Sequence, residues 1–328
     1  HALKEFMNTK EKVVVMGHRL PDADSFGAAI GIYRAAKTLN KKAYIVIDNP
    51  TSSIIPLMNT FRDNQDYEAD MFVNNHEAKE IMDDNTLLVV VDTNKPSITQ
   101  CEDLLYMAKM IVVLDHHRQG SDTIRNSVLS YIEPYASSAS EMVAEILQYF
   151  TEGIRIRNVE ADSIYAGIMI DTDNFMQKTG VRTFEAAAFL RRCGADVTRV
   201  RKLFREDMND YKARGETIRN AELFRGQFAI SECPSDYVDS PTVVGAQAAN
   251  ELLNIVGVKA SFVLTEYKGV IYISARAIDE VNVQIIMERM GGGGHLNMAG
   301  CQLETVNMEE ARNLLKSTLT EMQDGGEI

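Results

Sequence analysis

The stretch KVVVMGHRLPDADSFGAAIGIYRAAKTLN, residues 12–40, decides the fold. Its opening apolar run, residues 12–17, reads as a buried strand, and after a polar loop residues 25–39 read as a helix capped by Ser25. Further along, residues 43–47 read as a second strand, and the β-branched runs 86–91 and 110–114 as two more, with a helical stretch over 97–108 between them. Strands that alternate with helices imply a parallel α/β sheet, and such open sheets bind ligands beyond the carboxyl ends of their strands. Three of these ends are rich in Asp and His.

The remainder suggests a second body. Residues 138–202 are mainly helical (139–150, 160–170 and 184–193), and a charged helical stretch, 205–221, leads into a new alternation. That alternation is a strand over 222–230, a helix over 242–255, and strands over 261–267 and 270–275. The expected organisation is a first domain over 10–204, a helical linker over 205–221 and a smaller α/β domain over 222–324. A chain of 328 residues fits two domains better than one core. There is no internal repeat, and the four glycines 291–294 are the only low-complexity segment.

Composition excludes several classes. With 45% hydrophobic and 25% charged residues this is a folded, water-soluble composition, and no run approaches the roughly 18 apolar residues of a membrane span. The 34 Lys plus Arg against 47 Asp plus Glu leave a net charge of −13, which repels a long polyanion, so extended DNA is not expected as a partner. A small phosphate ligand remains compatible, because bound divalent cations invert the local charge. Cys101, Cys193, Cys233 and Cys301 show no Cys-x-x-Cys spacing, which argues against structural zinc or a disulfide framework and for a reducing cytoplasm. The start at His1-Ala2, without Met or signal peptide, reads as a segment of a longer protein.

The first strand delivers His18, Asp22 and Asp24 in one tight loop. Alone, such a loop is equally a proline turn in which Asp24 or Ser25 caps the next helix. The third strand runs apolar until Asp92-Thr93, and the fourth until Asp115-His116-His117; a fourth apolar element, residues 166–170, leads into Asp171-Thr172-Asp173. A single Asp at a strand end is commonly a turn former, but four such deliveries to one edge indicate a site. Imidazoles and carboxylates without thiolate suit manganese, with magnesium or cobalt as substitutes. Six ligands are too many for one catalytic ion but suit two ions about 3.5–4 Å apart sharing a carboxylate. The glycine run is by default a loop or helix C-cap; its functional alternative is close backbone approach to a phosphate, helped by His295 and Arg276. Asn282 reads as a helix N-cap.

The ordered set His18-Arg-Leu-Pro-Asp22-Ala-Asp24-Ser25, Asp92-Thr93, Asp115-His116-His117, Asp171-Thr172-Asp173 and Gly291-Gly-Gly-Gly-His295 resembles the DHH phosphoesterase superfamily with its DHH-associated C-terminal domain. The resemblance implies that His18, Asp22 and Asp92 hold one manganese ion and that Asp24, Asp92, His116 and Asp171 hold a second, Asp92 bridging. It implies that Asp115 orients, that His117 faces the phosphate and aids departure of the alcohol, and that Gly291, Gly292, Gly293, Gly294, His295 and Arg276 contact substrate in a cleft between the domains. Within the superfamily the chain resembles the catalytic portion of GdpP-type cyclic di-AMP phosphodiesterases, which implies attack of a metal-bridging hydroxide on cyclic di-AMP to give linear 5′-pApA. It further implies a homodimer whose full-length form is membrane-anchored, with this portion facing the cytoplasm. The alternative is a hydrolase of short oligonucleotides, taking pApA to AMP, or of 3′-phosphoadenosine 5′-phosphate. A catalytically dead receptor would lack a ligand, and none is missing.

Overall fold

The computed structural model describes residues 1–278 and 281–328. They fall into two compact units, His1–Arg205 and Glu206–Ile328. In the first, strands β1 (Lys12–Met16), β2 (Lys42–Val46), β3 (Phe72–Val73), β4 (Thr86–Val91), β5 (Ile111–Asp115) and β6 (Leu129–Ile132) form a wholly parallel sheet in the order β3-β2-β1-β4-β5-β6. Its helices are α1 (Ala2–Asn8), α2 (Ala23–Thr38), α3 (Ile55–Arg62), α4 (Asn75–Ile81), α5 (Asp103–Met107), α6 (Ala139–Gln148), α7 (Asn158–Asp171), α8 (Val181–Arg192) and α9 (Val197–Leu203).

The strands are apolar throughout because both faces are covered. Val13 and Val15 enter the core shared with α2, α6 and α7, whereas Val14 and Met16 enter the one shared with α4 and α5, the alternation a strand imposes. The strand order reverses between β1 and β4, which makes their carboxyl ends the topological switch point where such sheets bind ligands.

Local readings differ from the structure in instructive places. α2 begins two residues before Ser25, and its cap is Asp22, whose carboxylate accepts the Ser25 amide at 2.9 Å; Asp serves there as well as Ser. The stretch 97–108 is not one helix but a 3₁₀ turn, Pro96–Ile98, then α5, because Thr99 leaves the helical path to form a bridge with His18. Asp171 is the last residue of α7, the helix expected over 160–170, so it reaches the sheet edge from a helix C-terminus.

The second unit has its own sheet. β7 (Glu222–Phe224), β8 (Phe228–Cys233), β9 (Ala260–Tyr267), β10 (Val270–Ala277), β11 (Gly293–His295) and β12 (Met298–Leu303) lie in the order β11-β12-β10-β9-β8-β7, all antiparallel except β8 with β9. Helices α10 (Met208–Arg219) and α11 (Pro241–Leu252) share a core with one face, and α12 (Val283–Arg289) and α13 (Met308–Asp324) with the other. α10, expected as linker, contributes the fully buried Ala213 to this unit's core. The expected single strand over 222–230 is a hairpin, β7-β8, turned by Arg225 and Gly226 at φ 51° and 75°. Without Asn or Asp before the glycine, the usual sequence signal of this turn is missing.

Candidate active site

β1 ends at Met16, and the following loop carries His18 to the switch point; β4 ends at Val91 and delivers Asp92 beside it. Asp92 sits in the left-handed region at φ 59°, a conformation that costs an L-residue about 1–2 kcal/mol and that persists where the surroundings hold it. Its two oxygens serve two imidazoles. Oδ2 lies 3.3 Å from His18 Nε2, and Oδ1 lies 3.3 Å from His116 Nε2. Asp22 Oδ2 stands 3.5 Å from His18 Nε2, while Asp24 Oδ2 and Asp171 Oδ2 stand 3.7 and 3.8 Å from His116 Nε2. Among the described residues the structure therefore makes three overlapping triads, His18-Asp22-Asp92, Asp24-His116-Asp171 and Asp92-His116-His117, with Asp92 shared by the first and third and close to His116 of the second.

These spacings resemble those of ligands around common ions, since two donors about 2.1 Å from one ion and at right angles are about 3 Å apart. Two further observations fit a divalent pair. Asp92 Oδ1 and Asp171 Oδ2 are buried and take no hydrogen bond, an expensive condition unless something else binds them. The cluster also carries more negative charge than its own residues compensate. Burial, then Asp92 and Asp171, push the Asp24 carboxyl well above the usual range, and burial likewise raises Asp171. Burial opposes charge on His18 and His116 too, but the carboxylates beside them, Asp22 and Asp92 for His18 and Asp92 and Asp24 for His116, outweigh it and raise them to about 10 and about 9. In return, against its burial, His116 and His18 hold Asp92 down to about 2. Without cations the site collects protons; cations would replace them.

Asp24 is held from behind. Ala139 N and Ser140 N, the first turn of α6, donate to its two oxygens at 2.7 and 2.8 Å, and the Ser140 hydroxyl donates to its carbonyl at 3.0 Å. This approach requires glycines: a Cβ on Gly167 would fall 2.2 Å from Ser140 Oγ, and one on Gly27 would fall 2.6 Å from the Ser163 carbonyl. Sequence reasoning missed this support, because a backbone N–H carries no residue identity. His117 is about half exposed, and its Nδ1 lies 2.8 Å from Asp115 Oδ1. His117 also comes within 3.7 Å of Asp92, but through the same Nδ1, already committed to Asp115.

The second-unit residues occupy one sheet face. Arg276, Met298 and His295 lie in one register row, and Ser274, Gly300 and Gly293 in the next. An open trough of about 490 Å³ is lined here by Thr242, Tyr272, Ser274, Gly291, Gly292 and Gln302, among others; Tyr272 and Gln302 are polar lining residues that sequence reasoning missed. Arg276 donates to Asn250 Oδ1 at 2.9 Å and has no carboxylate partner among the described residues. Burial alone lowers its pKa. His295 is exposed at the end of the row.

The glycine run has two roles. Gly291, at φ 84°, ends α12 in a Schellman motif, with Gly292 N donating to Met287 O at 2.8 Å and Gly291 N to Glu288 O at 3.0 Å. The next two glycines then enter β11. Close approach occurs at Gly292 and Gly294, where a Cβ would lie 2.1 Å from Gly300 O and 2.5 Å from Met298 O; Gly293 has nothing within 4 Å. Asn282 is the N-cap of α12, accepting from Gln284 N at 3.0 Å.

A doubly wound parallel sheet with an Asp/His cluster at its switch point, followed by a mixed sheet with a glycine hairpin, defines a class that comparison identifies. Residues 12–168 match the DHH family, N-terminal domain, and residues 228–321 match the DHHA1 domain. The chain belongs to the DHH family. It is 43% identical over 332 residues to the cyclic-di-AMP phosphodiesterase GdpP of Bacillus subtilis, covering 99% of this chain and 50% of that one. It is 39% identical to the cyclic-di-AMP phosphodiesterase PdeA of Listeria monocytogenes, covering 97% and 49%. The chain thus spans about half the length of these curated relatives. The crystal structure of an exopolyphosphatase-related protein from Bacteroides fragilis shares the fold, with a TM-score of 0.82 at 20% identity over 98% of this chain and 96% of that one. No helix among the described residues is long and apolar enough to cross a membrane.

Proposed function

We propose that this chain hydrolyses cyclic di-AMP to linear 5′-pApA with two manganese ions. The observation that carries the reading is Asp92 placed between two imidazoles, one oxygen toward each, in a chain whose relatives are cyclic-di-AMP phosphodiesterases. His18, Asp22 and Asp92 would hold one ion, and Asp24, Asp92, His116 and Asp171 the other. Bound there, the ions would neutralise phosphate charge and activate the attacking water.

The remaining roles belong to the chain's own groups. α6 keeps Asp24 aimed by donating to both its oxygens, so that its remaining lone pairs face the site. His117, with Nδ1 toward Asp115, has Nε2 left for substrate, and a proton on Nε2 would pass to the departing 3′ oxygen. In the second unit, Arg276, the glycines 291–294 and His295 would receive a nucleotide of the substrate, with Arg276, which has no carboxylate partner among the described residues, as the cation for phosphate.

The test is a product time course by chromatography, starting from cyclic di-AMP and separately from pApA. With manganese, pApA should accumulate from cyclic di-AMP, and chelation should abolish turnover. Faster conversion of pApA to AMP than of cyclic di-AMP to pApA would overturn the assignment in favour of a short-oligonucleotide hydrolase.

A further inference from the structure

Asn94 lies two residues beyond Asp92 and is 2% exposed, and nothing in its sequence context marks it as functional. Its side-chain nitrogen donates to Asp115 Oδ2 at 2.5 Å and reaches the His117 carbonyl at 3.3 Å. Both neighbours are acceptors, so the amide must present its nitrogen and not its oxygen to them. The other Asp115 oxygen accepts the His117 amide at 3.1 Å and faces His117 Nδ1 at 2.8 Å. Asp115 is fully buried, and a buried carboxylate needs donors on both oxygens. The Asn94 backbone is itself anchored, its main-chain carbonyl accepting Ile124 N at 2.9 Å, while the side-chain oxygen is buried without a hydrogen-bond partner among the described residues.

We propose that Asn94 is a positioning residue for His117 that acts through Asp115, an inference resting on the role given to His117 above. One amide group grips both the carboxylate that aims the imidazole and the backbone that carries it. With Oδ2 held, Asp115 cannot rotate, so Oδ1 stays on Nδ1 and Nε2 stays turned to the substrate. In the step this serves, a water oxygen bonds to phosphorus and gives up one proton to solvent, the bond from phosphorus to the 3′ oxygen breaks, and the proton on His117 Nε2 moves to that 3′ oxygen. The imidazole is left neutral with its remaining proton on Nδ1, and solvent restores the other. Asn94 transfers nothing.

The test compares cyclic di-AMP with bis(4-nitrophenyl) phosphate, whose leaving group departs without a proton. Asn94→Ala, and the near-isosteric Asn94→Asp that removes the donor, should lower kcat on cyclic di-AMP by about 10- to 100-fold, the usual effect of losing a supporting hydrogen bond at such a site. Turnover of the nitrophenyl ester and bound manganese should stay near wild type. Asn94→Ala combined with His117→Ala should be no slower than His117→Ala alone, because both act on one proton transfer. Equal losses on the two substrates, additive losses in the double variant, or depleted metal would overturn the proposal. If His117→Ala discriminates between the substrates and the Asn94 variants do not, the positioning role alone fails. If His117→Ala itself slows both esters equally, the acid role and this inference fall together.

Discussion

Loading the site with manganese at about pH 7.5 should expel about two protons per chain. In the ion-free site His18 and His116 are raised to about 10 and about 9 by their carboxylate neighbours, so each imidazole is more than about 95% protonated there. A metal ion binds only the neutral ring, so each proton must leave, and protons held by Asp24 and Asp171, both pushed upward, would add to the count. Isothermal titration of chelator-stripped protein with manganese, in two buffers of different ionisation enthalpy, gives the number as a slope. Apparent affinity should climb steeply from about pH 7 to 9 and flatten above about 10. The same linkage governs stability without metal. The folded-state values of both histidines exceed the ordinary 6.5, so their stabilising contribution is full below about 6.5 and is lost as pH rises through about 9 to 10. The Tm of the stripped chain should therefore fall over that interval while the loaded chain changes little. Release of fewer than about half a proton at about pH 7.5 would refute the geometry, since it would mean that the rings binding metal are not the rings facing Asp92.

Asp92→Ala should be the most damaging single ligand change, leaving a native circular dichroism spectrum while metal content and turnover collapse; near-normal metal would displace Asp92 as the bridge. His117→Ala should keep both metals yet lose about 10²- to 10⁴-fold in turnover of cyclic di-AMP, and loss of one metal equivalent would make it a ligand instead. Gly292→Ala should destabilise the second unit by about 1–3 kcal/mol in urea titration, because its methyl would meet the Gly300 carbonyl, whereas Gly293→Ala should be tolerated. Arg276→Ala should raise KM for cyclic di-AMP more than for bis(4-nitrophenyl) phosphate without altering metal content; an equal effect on both esters would remove it from substrate recognition.

The strand ends were readable because parallel strands covered on both faces stay apolar until they leave the sheet, so the first polar residue after each run marks the edge, as at Asp92. Alternating strands and helices also suffice to imply a parallel sheet, though not that β1 and β4 would be neighbours, which depends on chain reversal rather than local pattern. Asn94 was hidden because its partner Asp115 comes from a different strand, and only their juxtaposition separates it from any loop asparagine. The support of Asp24 by α6 was hidden for another reason, since amides of Ala139 and Ser140 do the work and their side chains do not announce it. In the glycine run, helix ending and strand beginning follow each other within four residues that look alike, so composition could not divide Gly291 from Gly293.

The triads His18-Asp22-Asp92 and Asp24-His116-Asp171, proposed to hold the ions, draw on segments from His18 to Asp171, spread through most of the first unit. Ions that bind both triads would act as staples across long loops, tying β1, β4, β5 and α7 together at one point. Such a clasp cannot exist in an unfolded chain, whose ligands are scattered, so ion affinity would be affinity for the folded unit alone. By mass action, a hundredfold excess of free metal over its dissociation constant would add about 2.7 kcal/mol per site to resistance against unfolding. Metal supply would then set how long the first unit survives proteolysis as well as how fast it turns over.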